Sequence, residues 1–232
     1  MGPGRLSPAV RAAVRQGTSV AVATGLYGIS FGALSAVAGL SVGQTATLSL
    51  LLFSGGSQFA LVGVVAAGGS PVAAVATSTL LGARNTLYGA VVAPLLGVRG
   101  WRRLAAAQLT IDESTAVAVA QREPAATRAG FWVTGLGVFA LWNAFTLLGA
   151  LAGDALGDPR AWGLDAAAGA AFLALVWPRL AARAAQVVAA LAVGVTIALV
   201  PLTPPGVPVL GAAAAAIVAG LVAPSRAAEE GR

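Results

Sequence analysis

The 232-residue sequence is 58 % hydrophobic and only 9 % charged, and its mean hydropathy is +0.86. A soluble domain carries roughly 25 % charged residues, so this composition excludes a water-soluble globular protein and predicts a membrane protein. The net charge is +6, but all 14 basic residues are Arg, mostly in short clusters between apolar segments, which indicates anionic lipids rather than nucleic acid as their partners.

Apolar segments follow one another along the chain, and one bilayer crossing takes ~20 residues. Arg84 is the only charged residue between Arg15 and Arg99, a stretch long enough for three membrane segments. The predicted segments, in chain order, are 18–40, 42–67, 71–98, 104–121, 130–152, 163–178, 184–200 and 209–223. We expect one transmembrane domain over residues 1–232, embedded from 15 to 223, with cytoplasmic tails at 1–14 and 224–232.

The Arg clusters predict the topology, because Arg-rich loops stay on the cytoplasmic side of a membrane. They lie at the N-terminus and at 99–103, 122–128, 179–183 and 226. All are cytoplasmic only if segment 42–67 turns back without crossing and segment 104–121 dips in and returns. The expected fold is an all-α polytopic membrane protein with about six full spans, two broken or re-entrant segments and both termini inside. Irregular backbone at membrane depth must be covered by protein or line a cavity, so a transport site is expected there.

The first candidate site is the motif Phe53-Ser54-Gly55-Gly56-Ser57-Gln58-Phe59. Its two adjacent glycines predict a helix break, and a half-helix that begins there presents free amides and a positive dipole end to a carboxylate. The two serines and Gln58 add neutral hydrogen-bonding groups. The alternative interpretation is structural, because glycines also allow close helix packing and hydroxyls bond back to their own helix.

The second candidate is the pair Arg84 and Asn85, near the middle of segment 71–98. An Arg at the centre of a span costs ~2.5–3.5 kcal/mol on insertion scales, so an intramembrane Arg indicates a functional site by default. Arg84 either binds a substrate carboxylate or pairs with Asp112 or Glu113 for structure alone. Both can hold in different states of one transport cycle.

Asp112 and Glu113 form the third candidate. Adjacent helical residues point about 100° apart, so both cannot face the same partner. Cysteine and histidine are absent, which excludes disulfides, Cys/His metal sites and His-dependent catalysis and leaves carboxylates as the proton carriers. The alternative places both residues in an interfacial loop.

Three motifs in sequence order resemble the AzlC family, the large subunits of branched-chain amino acid exporters. They are residues 53–59, the segment Gly82-Ala83-Arg84-Asn85-Thr86-Leu87-Tyr88-Gly89, and Thr110–Ser114. An opening segment with Gly28, Phe31, Gly32 and Gly39-Leu40-Ser41 also fits, and the resemblance covers roughly residues 15–222. The chain departs from the family's Asn-x-Arg-His pattern, since Gly82 replaces the Asn and Asn85 the His, so a proton role for that His does not carry over.

The resemblance implies export of branched-chain amino acids, in some members methionine or toxic analogues, and a small AzlD-type membrane subunit on a separate chain. We therefore expect a proton-coupled secondary transporter in the inner membrane, not an enzyme, with no cofactor and no catalytic or metal site. Residues 53–59, Arg84 and Asn85 would bind substrate, Phe53, Phe59 and Leu87 would supply apolar walls, and Asp112 or Glu113 would take the substrate ammonium or exchange a proton. The alternatives are a non-transporting scaffold subunit and an intramembrane enzyme that uses Asp112 and Glu113.

Overall fold

The computed structural model describes residues 6–155, 173 and 176–222, and every regular element in these ranges is helical. The helices are α1 (Pro8–Leu26), α2 (Gly28–Val37), α3 (Val42–Leu51), α4 (Gly55–Ala66), α5 (Pro71–Gly82), α6 (Arg84–Leu96), α7 (Trp101–Gln108), α8 (Asp112–Val119), α9 (Pro124–Ala155), a 3-10 helix (Trp177–Ala181), α10 (Arg183–Leu199) and α11 (Val207–Val222). Most of the predicted segment 163–178 lies outside the described residues, as do the ends of both predicted tails.

Two helical segments within the described ranges are long and apolar enough to cross a bilayer. They are Pro8–Val37, with 30 residues, and Pro124–Ala155, with 32. At 1.5 Å per residue they are about 45 and 48 Å long, against a hydrocarbon core of ~30 Å. Helices α4, α10 and α11 are apolar but shorter. The prediction of an all-helical membrane protein is confirmed, and the count of six spans stays a prediction.

Helix α9 is the element around which the first half of the chain packs. Helices α1 and α2 run along it, and α3, α6 and α8 also contact it. The residues that α9 buries recur every three or four positions and are mostly small, hydroxyl or aromatic: Ala126, Thr127, Gly130, Phe131, Thr134, Gly135, Val138, Trp142, Thr146, Gly149, Ala150 and Gly153. Small residues on such a face let membrane helices approach closely.

Glycine is required where α2 crosses α9. A Cβ on Gly32 would collide with the backbone of Thr146 and Ala150, and a Cβ on Gly149 would collide with the backbone of Ile29. A Cβ on Gly28 would lie 2.6 Å from the carbonyl oxygen of Trp142. The two backbones therefore touch directly, which fixes α2 against α9.

Both segments that were predicted to be broken are broken. Segment 42–67 is interrupted between Leu51 and Gly55, and segment 104–121 is interrupted at residues 109–111. The first break lies nearer the N-terminus than predicted. Ser54 takes an extended conformation with φ −156° and ψ 100°, while Gly55 to Gln58 form the first turn of α4. The glycines thus begin the half-helix and do not themselves form the gap.

A third break divides segment 71–98, which was predicted as one helix. Helix α5 ends at Gly82, and α6 begins at Arg84 after the single residue Ala83. The α-helical bonding pattern lapses there, because the amide of Thr86 donates to the carbonyl of Ala83 at 3.1 Å. No glycine pair or proline marks this position, so the sequence pattern did not indicate it. The break makes Arg84 the first residue of a helix.

Gly149→Ala should destabilise the fold because its Cβ would overlap the backbone of α2, and overpacking of this kind costs about 1–3 kcal/mol. We expect the midpoint of thermal unfolding in detergent to fall by several degrees. Gly194→Ala on α10 is the matched control, since a Cβ there meets no atom within 4 Å. Equal midpoints for the two variants would contradict the assigned α2–α9 packing.

Candidate functional site

The three helix breaks come together around the side chain of Arg84. Arg84 begins α6, Asp112 begins α8, and Gly56 lies in the first turn of α4. The guanidinium Nη2 lies 2.9 Å from Asp112 Oδ2 and 2.9 Å from the position that a Cβ on Gly56 would take. Three helix starts, each with unbonded amides and a positive dipole end, therefore border one place in the fold.

Arg84 and Asp112 form a bidentate ion pair. The Arg84 Nε donates to Oδ1 at 3.3 Å, Nη2 donates to Oδ2 at 2.9 Å, and Nη1 donates to the carbonyl of Leu81 at 2.8 Å. The two side chains are partly accessible, with 25 % of Arg84 and 30 % of Asp112 exposed. Of the two carboxylates that the sequence offered as partners, the structure pairs Asp112 with Arg84. The pair compensates for the partial burial of both charges, because an isolated buried ion is costly.

Tyr88 is part of the same site, although the sequence analysis did not assign it a role. Its hydroxyl donates to Asp112 Oδ1 at 2.6 Å, so the carboxylate accepts hydrogen bonds on both oxygens. Tyr88 follows Arg84 by four residues on α6, which places both on one face of the helix. The four-residue spacing from Arg84 was the feature of the sequence that could have identified Tyr88 as part of the site.

Glu113 lies beside Asp112 in the first turn of α8. Both residues belong to a helix, so the alternative that placed them in an interfacial loop is wrong. A carboxylate in a first turn is favoured by the positive end of the helix dipole. Asp112 makes the direct hydrogen bonds to Arg84, and Glu113 is half-buried next to it.

Gln58 closes the first break. Its Nε2 donates to the carbonyls of Leu52 at 2.7 Å and Ser49 at 3.3 Å, near the end of α3, where carbonyls lack helical partners. Its Oε1 accepts from the indole Nε1 of Trp142 on α9 at 2.9 Å. Gln58 is fully buried, and its amide is engaged at both ends within the protein. In this structure the side chain holds the break against α9.

Ser114 has the corresponding role at the second break. Its hydroxyl donates to the carbonyl of Leu109 at 2.6 Å, and it accepts from the amide of Ile111 at 3.1 Å. Ser114 is fully buried. The two breaks that border Arg84 are thus each closed by one buried polar side chain from the helix that follows.

The other residues of the Phe53–Phe59 motif are packed inside the protein. Phe59 contacts Tyr27, Phe31 and Trp142, and Phe53 stacks edge-to-face on Phe139 with the ring centres 5.0 Å apart. The hydroxyls of Ser54 and Ser57 bond to each other at 3.2 Å, and a Cβ on Gly55 would lie 3.4 Å from Trp142. Within the motif, the structure therefore brings Gly56 against the guanidinium.

The two remaining predicted residues lie on α6. Asn85 is half-buried, and its Oδ1 is buried without a hydrogen-bond partner among the described residues. Leu87, predicted as an apolar wall, is 69 % exposed. Within residues 6–155, 173 and 176–222, no three acidic side chains lie together as metal ligands would. The site thus presents a guanidinium fork that the Asp112 carboxylate occupies.

Comparisons with known proteins relate this chain to one family. The sequence model of the AzlC protein family matches residues 19–156, which include the three breaks, the ion pair and Trp142. An uncharacterized membrane protein of Archaeoglobus fulgidus is 34 % identical over 127 residues, which cover 55 % of this chain and 55 % of that protein's length. No solved structure matches. Since the family match spans more than half of the sequence, the chain belongs to the AzlC family of membrane proteins.

Proposed function

We propose that this protein is the large subunit of a secondary transporter that exports apolar amino acids, including branched-chain ones. The observation that carries this proposal is the bidentate Arg84–Asp112 pair at the meeting of three helix starts. The planar guanidinium fork matches the two oxygens of a carboxylate, and in this structure the protein's own carboxylate occupies it. An amino acid carboxylate presents the same two oxygens and competes with Asp112 for the same fork.

Competition at Arg84 couples substrate binding to the charge of the Asp112 carboxylate. When a substrate carboxylate displaces Asp112, the released carboxylate has lost its cation in a site of low dielectric constant, where an unpaired ion costs several kcal/mol. Two groups can neutralise it: the ammonium of the same substrate or a proton. If the proton does so, substrate uptake by the site and proton uptake by Asp112 are coupled through one Arg.

Family membership supports the rest of the proposal, namely a location in the inner membrane with both termini cytoplasmic and a small second subunit of the AzlD type. Helix α10 buries none of its residues, and it exposes apolar side chains that suit lipid or such a subunit. A scaffold subunit needs no ion pair at membrane depth. An enzyme that relied on Asp112 and Glu113 would need Asp112 free of its bidentate bond to Arg84.

The direct test is counterflow of radiolabelled leucine in liposomes that contain the purified protein, alone and together with an AzlD-type subunit. We expect labelled leucine to accumulate in vesicles preloaded with unlabelled leucine. Failure of leucine, isoleucine, valine and methionine to exchange in both preparations would overturn the proposed function.

Arg84→Lys should reduce leucine counterflow nearly as much as Arg84→Ala, by at least tenfold. Lysine keeps the charge but lacks the planar fork that two carboxylate oxygens require. Arg128→Lys on the exposed start of α9 is the matched control and should transport normally. Wild-type rates in Arg84→Ala would show that the substrate binds elsewhere.

Tyr88→Phe should lower the apparent KM for leucine by about five- to tenfold, the effect of losing one net hydrogen bond from the competing Asp112. The reason is that the hydroxyl stabilises the state in which Asp112 occupies Arg84. Tyr27→Phe is the control, because Tyr27 packs on Phe59 away from the ion pair. A rise in KM for Tyr88→Phe would mean that the hydroxyl contacts the substrate.

Asp112→Asn should retain leucine counterflow but lose the acceleration of export by an imposed pH gradient, because its side chain can no longer take up a proton. Glu113→Gln should keep more of the gradient response than Asp112→Asn, because Asp112 makes the bidentate hydrogen bonds to Arg84. Thermal unfolding must be measured in parallel, because Asp112→Asn leaves Arg84 without its carboxylate. Full gradient-driven export in Asp112→Asn would exclude this residue as the proton carrier.

A further inference from the structure

A cavity of about 630 Å³ lies between α4 and α5 on one side and α10, α11 and the loop that joins them on the other. Its described lining is almost wholly apolar. Helix α4 contributes Ala60, Gly63 and Val64, Ala67 follows at its end, and α5 contributes Thr77 and Leu81. None of their side chains was assigned a role in the transport site.

The cavity-lining residues of α4 share a helix face with Gly56. Gly56 precedes Ala60, Gly63 and Ala67 at intervals of four, three and four residues, so the first three lie along one face of α4 and Ala67, just past its end, continues the row. Gly56 is the residue against which the Arg84 guanidinium lies. The guanidinium therefore lies at one end of the helix face that lines the cavity.

Helix α5 shows the same continuity. Thr77 and Leu81 line the cavity, and Arg84 follows Leu81 by three residues across the Ala83 break. The guanidinium Nη1 donates to the carbonyl of Leu81 at 2.8 Å, which ties the cation to the cavity wall. From Thr77 to Arg84 the distance along the axis is about 10 Å for seven residues.

Thr77 differs from the other two threonines that line the cavity. Three threonines line the cavity, and the hydroxyls of Thr196 and Thr203 donate to carbonyls of α10, those of Ala192 and Leu199, at 2.7 and 2.8 Å. The Thr77 hydroxyl is fully buried and has no hydrogen-bond partner among the described residues. A buried hydroxyl without a partner costs about 1–3 kcal/mol, so an added hydrogen bond there is favourable.

The cavity is larger than a leucine side chain requires. Four carbon atoms, each taking roughly the ~30 Å³ share of a water molecule, fill on the order of 120 Å³. We propose that this cavity binds the apolar side chain of the amino acid whose carboxylate is held by Arg84, and that it admits aromatic amino acids as well as branched-chain ones. The Thr77 hydroxyl bonds the polar atom of a tyrosine or tryptophan ring. This inference rests on the proposed function and adds the side-chain subsite to it.

The first test is inhibition of labelled leucine counterflow by unlabelled tyrosine, tryptophan and phenylalanine, in the vesicles that show leucine exchange. We expect all three to inhibit. Thr77→Val removes the hydroxyl and keeps the shape, so it should weaken inhibition by tyrosine about five- to tenfold and leave inhibition by phenylalanine unchanged. Thr196→Val is the matched control, because its hydroxyl is satisfied by its own helix.

The second test reduces the volume of the cavity. Gly63→Leu places a side chain in the cavity and should weaken inhibition by the aromatic amino acids much more than it weakens the binding of leucine, because the aromatic rings need more of the volume. Gly194→Leu adds the same side chain to α10 where a Cβ meets no atom within 4 Å, and it should change neither property. Thr77→Val keeps the inference testable if Gly63→Leu does not fold.

The outcomes separate this inference from the proposed function. Leucine exchange that no aromatic amino acid inhibits overturns the inference alone, and it is the result expected if a lipid acyl chain fills the cavity. Equal inhibition by tyrosine in wild type and Thr77→Val also overturns it. Failure of every amino acid to exchange overturns both proposals.

Discussion

The structure depends on neutralising one charge, the guanidinium of Arg84. A partly buried Arg is costly unless a carboxylate reaches it, and the carboxylate that does so, on Asp112, lies 28 residues further along the chain. The pair forms where α4, α6 and α8 begin. The positive ends of three helix dipoles therefore add to the positive potential of the guanidinium, and the Asp112 carboxylate neutralises it. One ion pair therefore explains why three breaks in separate segments lie together.

Broken helices leave backbone groups that water cannot reach, and the fold satisfies them with buried side chains. Gln58 and Ser114 bond the backbone of the first and second breaks. The link from Gln58 to Trp142 then connects the first break to α9, which glycines hold against α2. The candidate site is therefore positioned by rigid elements even though it consists of helix ends.

Under the proposed function, the occupation of Arg84 by the protein's own carboxylate has consequences for transport. A substrate carboxylate would have to displace Asp112, so part of its interaction with Arg84 would be offset by the pair that it breaks, and net binding would be modest. A carrier that must release its substrate benefits from modest binding. The Asp112 carboxylate also gives the site without substrate a stable state, because the guanidinium is not left unpaired.

What the sequence by itself determined was the class of protein and one of its helix breaks. Low charge and long apolar segments required a membrane, and Gly55 and Gly56 indicated a half-helix. A lone Arg84 in an uncharged stretch pointed to a candidate site. Each of these depends on composition or on a few adjacent residues. Only the tertiary structure decided that Asp112 is the ion-pair partner of Arg84 and that Tyr88 donates a hydrogen bond to Asp112. It also decided that Gln58 bonds the backbone of the first break, and that Thr77 and Leu81, whose carbonyl bonds Arg84, line one cavity. Those outcomes depend on how each helix is rotated and on contacts between distant segments, such as Gln58 and Trp142, 84 residues apart.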